Sequence, residues 1–178
     1  MTLLFQKGVI PIRLSIRHMT LASLFAALTA ICAWICVPVF GCTFTLQTFA
    51  VSLTLFVLGG RWGTVSILVY LLLGAVGLPV FSGFQGGIGV LLGATGGYLW
   101  GFLSTGLCYW AVDRFGKLRA MVLGHLSCYL CGSLWFMIWS GSGLGPVLML
   151  CVVPYLIPDT LKLCLAWYIS KRIRKAGL

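Results

Sequence analysis

Asp159 and Lys162 are the residues best placed to do chemistry in this chain, because both sit inside the apolar run VVPYLIPDTLKLCLAW near the C-terminus. A charge at the centre of a bilayer-spanning helix costs about 2.5–3.5 kcal/mol on insertion scales, so charge kept there marks a ligand or ion path. Three residues apart on a helix, the two share a face and can touch across one turn. Together they present one acceptor and one donor group to a polar ligand. The alternative is a pair that only neutralises itself. Pro154 and Pro158, just upstream, favour the ligand reading, since each removes a backbone N–H and loosens the helix where a site would need free carbonyls.

Other polar groups are few. An uncharged loop, VPVFGCTFTLQT, carries Thr43, Thr45, Gln47 and Thr48. Ser142 and His125 are the remaining candidates for a nucleophile and base, but the expected topology sets them at opposite membrane faces, where no hydrogen-bonded dyad forms. The chain is therefore not expected to be an enzyme. Cys128-x-x-Cys131 has redox or metal spacing, yet it lies mid-span without a second pair or clustered His, so packing is the expectation and no metal site is implied. No glycine loop followed by Lys and Ser or Thr is present to bind ATP. With no second carboxylate in the outer half, a proton relay has too few members.

The elements that must carry these groups follow from composition. Of the 178 residues, 61% are hydrophobic and 8% charged, with a mean hydropathy of +1.10, which places the chain among integral membrane proteins. Each crossing uses ~20 apolar residues, so residues 1–178 make one all-α membrane domain of six spans, expected at about 19–37, 45–58, 63–78, 93–112, 120–139 and 147–169. The run after the basic lead is long enough to span and is expected to be kept as the first helix. The eight Cys behave as small apolar residues in such a setting.

Charge placement orients the bundle. The lead carries Lys7, Arg13 and Arg17, the turn after the second span Arg61, the next basic loop Arg114, Lys117 and Arg119, and the tail Lys171, Arg172, Arg174 and Lys175. These are eleven of the twelve Lys and Arg, and the alternate loops hold none. The positive-inside rule then puts both termini in the cytoplasm. The net charge of +10 reads as topology, and nucleic acid is not an expected partner. Lys162 is the one cation outside the cytoplasmic set.

Two small-residue features remain. Ala22, Ala26 and Ala30 recur every four residues, a stripe that lets helices approach closely, either inside this chain or against a separate subunit. Eight Gly fall within residues 77–98. Irregular backbone at membrane depth is tolerated only within protein or along a cavity, so this segment is expected to fold over or into a site, with tight helix packing at Gly93, Gly96 and Gly97 as the plainer alternative.

Three blocks, TFTLQTFAVSLTLFVLGGRWGTVSILVYLLLGAVGLPVF, GGIGVLLGATGGYLWGF and VVPYLIPDTLKLCLAW, closely resemble the signature blocks of the BioY family, the biotin-binding S components of energy-coupling factor (ECF) transporters. The likeness extends from about Thr43 to Trp167. It implies a six-helix receptor in the cell membrane that captures biotin at an outward-facing pocket. It also implies a transmembrane coupling protein and two ATPase subunits as partners, the ATP being used there and not in this chain. The family's aspartate and lysine in the last helix match Asp159 and Lys162, and its small-residue contact to the coupling protein matches Ala22, Ala26 and Ala30. A solitary carrier working without the module is the alternative.

Biotin suits this inventory. Its ureido ring has two N–H donors and one carbonyl acceptor, which Asp159 and Lys162 complement. The distant carboxylate is met either by Lys162 turning towards it or, preferably, by neutral donors at the outer mouth: Gln47, Thr45 and the N–H groups around Gly86 and Gly87. Phe81, Phe84, Tyr98 and Trp135 are the candidates for the apolar wall.

Overall fold

A computed structural model describes residues 16–39 and 42–176; Lys7 and Arg13 of the basic lead lie outside the described residues. Helix α1 (Ile16–Trp34) is followed by a two-stranded antiparallel ribbon, β1 (Cys36–Val39) and β2 (Cys42–Thr45), in the register Cys36↔Thr45. Then come α2 (Gln47–Ala75), the short α3 (Ile88–Leu92), α4 (Gly96–Val112), α5 (Lys117–Ser140), α6 (Leu144–Cys151) and α7 (Val153–Lys175). Among the described residues, four helical stretches are long and apolar enough to cross a membrane: α1, α2, α5 and the run Leu144–Lys175. Large apolar side chains such as Leu130, Ile138 and Leu161 face outward, as they do where the solvent is hydrocarbon.

The boundaries differ from the sequence expectation where local chemistry intervenes. Helix α1 stops at Trp34, three residues short of the expected bound at 37, and Val37 lies in β1 with Pro38. The expected spans 45–58 and 63–78 are the two arms of α2, which breaks at Gly59 (φ 78°, ψ 175°). The arms fold back on each other. Gln47 reaches the Tyr70 hydroxyl at 2.6 Å, although 23 residues of straight helix would separate them by about 34 Å. The span expected from residue 93 begins at Gly96, because Gly93 ends α3. The last expected span, 147–169, is divided at Val152 into α6 and α7.

Helices α4 and α5 make the most extensive pair, and they approach closely because glycines meet large side chains. Gly97 packs on the Trp135 Cβ and Gly132 on the Tyr98 ring, so neither position has room for a Cβ. Of the three glycines named for tight packing, Gly96 and Gly97 fit that role, whereas Gly93 leaves more space.

The basic segments gather at one end of the bundle. His18 stacks on Trp62 with ring centroids 5.2 Å apart, Gly60 packs on Trp110, and Arg174 donates to the Phe56 carbonyl. At the other end, Trp34 Nε1 donates to the Pro79 carbonyl at 2.8 Å, tying α1 to the glycine-rich segment.

Gly59 occupies a backbone region open essentially to glycine alone, where another residue costs about 1–3 kcal/mol. Gly59→Val should lower unfolding stability in detergent by about that amount. Gly89→Ala, at a helical position with nothing within 4 Å of a built Cβ, should leave it unchanged.

Candidate ligand site

A cavity of about 280 Å³ opens between the start of α2, the glycine-rich segment, α4, α5 and α7, near the lower end of the ~300–1,000 Å³ range of small-molecule sites. Asp159 lies in it at 4% exposure. Its Oδ1 accepts from Lys162 Nζ at 2.9 Å and from Thr48 Oγ1 at 2.9 Å, and its Oδ2 accepts from the Tyr129 hydroxyl at 2.7 Å. Lys162 Nζ also donates to Thr48 Oγ1 at 3.2 Å. Three elements therefore converge on one carboxylate: the first arm of α2, α5 and α7.

This arrangement leaves defined capacity for a ligand. An ammonium has three donors and a carboxylate about four acceptor positions. Two of the Lys162 donors and three of the Asp159 positions are engaged inside the protein. One donor and one acceptor position remain at adjacent groups. His125 adds a second acceptor: its Nδ1 lies 3.1 Å from the Met121 carbonyl, which can only accept, so the proton is assigned to Nδ1 in the neutral ring. Its Nε2 is 3.4 Å from Ser52 Oγ, whose own proton goes to the Thr48 carbonyl at 2.7 Å.

Of the residues expected from sequence, Thr45, Gln47, Phe81, Tyr98, Asp159 and Lys162 line this one cavity. Gln47 is held in place, its Nε2 donating to the Tyr70 hydroxyl at 2.6 Å and its Oε1 accepting from Thr45 Oγ1 at 3.1 Å. Phe81 is buried edge-on to Tyr70, with centroids 5.5 Å apart. Tyr98 donates to the Cys151 carbonyl at 3.0 Å.

Four expected wall or donor residues lie elsewhere. Phe84 is 63% exposed and stacks on Trp34, so it faces away from the cavity. Trp135 uses its Nε1 to hold the Gly93 carbonyl at 2.9 Å and packs between helices. Gly87 donates its N–H to the Gly74 carbonyl at 2.7 Å, which engages the group proposed for a carboxylate. Gly86 packs on the Leu78 carbonyl and is not a lining residue.

The alanine stripe packs inside the chain. Ala22, Ala26 and Ala30 are 3%, 2% and 6% exposed, packed inside the chain against α2, and the Ala22 carbonyl accepts from Ser66 Oγ at 2.7 Å. Small residues there serve internal packing, and the stripe offers no open face to a partner. Cys128 and Cys131 are free thiols within the α4–α5 contact. Among the described residues no cluster of three metal-ligating side chains exists.

Sequence reasoning missed Tyr129, His125 and Thr48 as members of the site, and Ser82, Gln85 and Thr95 at its mouth. Tyr129 carried a usable signal, because a phenol in an apolar run needs a hydrogen-bond partner, and the intramembrane carboxylate is the obvious one. His125 was considered for hydrolysis with Ser142; seventeen residues along the same helix direction, about 25 Å, keep the two apart.

A model of the BioY family matches residues 6–177. The chain belongs to the BioY family. It is 36% identical over 177 residues to a protein of Thermotoga maritima described as biotin transporter BioY, covering 89% of this chain and 96% of that one. It is also 36% identical over 150 residues to biotin transporter BioY2 of Lactococcus lactis subsp. cremoris, covering 81% and 82%. A crystal structure of the S-component for biotin from an ECF-type ABC transporter superposes with a TM-score of 0.82 at 26% identity, over 90% of this chain and 92% of that one. Relatives of this BioY member are thus described as transporters, with an S-component fold.

Removing one partner of a buried ion pair costs about 3–5 kcal/mol, whereas apolar replacement of both is often neutral. Asp159→Leu and Lys162→Leu should each destabilise the protein strongly in detergent unfolding, and the double variant should recover most of the loss. Tyr129→Phe should cost about 1.5–3 kcal/mol, the worth of a hydrogen bond to a charged group.

Proposed function

We propose that this chain is the biotin-binding S component of a vitamin uptake transporter. The observation that carries the reading is the Asp159–Lys162 pair, Asp159 buried and Lys162 half-buried in the cavity lining, with one free acceptor position beside one free donor. A cyclic urea presents an N–H next to a carbonyl, the complement of that spacing. Charge-assisted bonds of this kind are roughly twice as strong as neutral ones, and the surrounding Phe81, Leu99 and Phe102 suit the apolar part of the bicycle. The descriptions of the relatives and the S-component fold support the same ligand.

In this reading the chain crosses the cell membrane six times with both termini in the cytoplasm. The arms of α2 count as two crossings and α4 as another. Support comes from the basic end formed by Arg61, Lys117 and Arg174, opposite the uncharged loops around the cavity, and from the preference for cations on the cytoplasmic side. Biotin enters from the outer face. The energy comes from a transmembrane coupling protein and two ATPase subunits, because the sequence has no phosphate-binding loop of its own.

Purified protein should bind biotin in calorimetry. Asp159→Asn should weaken binding by roughly tenfold to a hundredfold, corresponding to the ~1.5–3 kcal/mol of a charged hydrogen bond. In a biotin-requiring host, uptake should depend on the coupling subunits. Tight binding of a different vitamin would overturn the ligand, and uptake persisting without any coupling subunit would favour a solitary carrier.

A further inference from the structure

Charge is distributed unevenly around the cavity. Among the described residues, its lining contains one carboxylate and one ammonium, Asp159 and Lys162, joined at 2.9 Å. The glycine-rich segment contributes Ser82, Gln85 and Thr95, all neutral. Gln85 and Thr95 are exposed and Ser82 half-buried, so they form the wet rim of the cavity, with no Lys or Arg beside them in the lining.

A ligand acid cannot comfortably share Lys162. Its ammonium already holds the Asp159 carboxylate, and a second carboxylate on the same donor would set two like charges a few ångströms apart, where they repel. The polar head of the ligand takes that place instead, and the acid end is left at the rim. There it stays in contact with water, where ion–dipole contacts are weakened by solvent and salt.

We propose that the site does not read the charge of the ligand's carboxyl group, so that biotin capped at this carboxyl as a small ester or amide is bound as a substrate of the same class. The inference rests on the biotin reading and adds to it a tolerance at one end of the molecule. The open rim supplies the room: Gln85 and Thr95 are already exposed to solvent, and a cap on the acyl tail projects past them. Specificity then resides in the ureido head, where Asp159, Lys162, Thr48 and Tyr129 are mutually fixed.

Equilibrium competition against labelled biotin on the purified protein tests this. The probes are biotin, its methyl ester, its amide with the lysine side chain, and an N-methylated ureido analogue that keeps the acid. The two capped forms should compete within tenfold of biotin, and the ureido-altered acid should fall by more than a hundredfold. Biotin bound normally with either capped form more than tenfold weaker would overturn this inference alone. A ureido-altered acid binding as well as biotin would also overturn it, since the acid would then be the anchor. Failure of biotin itself to bind would overturn the ligand reading and this one together.

Discussion

The structure depends on satisfying one carboxylate in apolar surroundings. Asp159 alone would be untenable there, and it is held by an ammonium one turn away, a threonine from α2 and a phenol from α5. Taking a charge out of water costs several kcal/mol per ion unless hydrogen bonds fill its remaining positions, so the three donors are a condition for the carboxylate's presence. Their cost is geometric. Thr48, Tyr129 and Lys162 must reach one point from three helices, which restricts how α2, α5 and α7 can pack.

The irregular parts of the chain meet that restriction. The break at Gly59 folds α2 back on itself, so that its first arm runs down the side of α7 and its second arm returns to place Tyr70 under Gln47. The break at Val152 separates α6 from α7, and Tyr98 engages the Cys151 carbonyl just before it. Between α2 and α4 the glycine-rich segment closes the end of the bundle away from the basic segments, held by Trp34 to Pro79, Trp135 to Gly93 and Gly87 to Gly74. Each of these bonds ties a backbone carbonyl of the segment or its flanks to a donor from another element or turn, and the Gly74 and Gly93 carbonyls accept a second, local N–H from Gly77 and Gly96.

What was legible in the sequence was what composition and single charges can report. The membrane class, the Asp159–Lys162 pair and the broken character of residues 77–98 follow from costs that local sequence exposes: hydrophobicity, an intramembrane charge, and glycine density. Long-range pairing was not legible. Tyr129 lies 30 residues from Asp159 and Thr48 lies 111 away, and no periodicity in an all-apolar helix distinguishes the face that meets a partner. The same blindness left the alanine stripe open between two readings, because small residues promise close approach without saying to what, and within this chain the neighbour is α2. Gly87 misled for a related reason. Its N–H looked available in a loop, yet it is given to the Gly74 carbonyl, a pairing 13 residues back that no local pattern signals.

The first arm of α2 also connects the cavity to the basic end. It contributes Thr48 to Asp159 at one end, and at the other its Phe56 carbonyl, stranded by the break at Gly59, accepts from Arg174. Both partners belong to α7. Phe56 is in addition edge-on to Trp167 of the same helix, with centroids 5.0 Å apart. An arginine at a helix C-terminus complements the partial negative charge of its open carbonyls, so Arg174 stabilises the arm whose first turn carries Thr48. Two elements joined at both ends move as one body more readily than they shear, because sliding would break a charged bond at each end at once. A rearrangement that separates Thr48 from Asp159 therefore has to displace Arg174 as well, and the site and the far surface of the bundle are held by the same pair of helices.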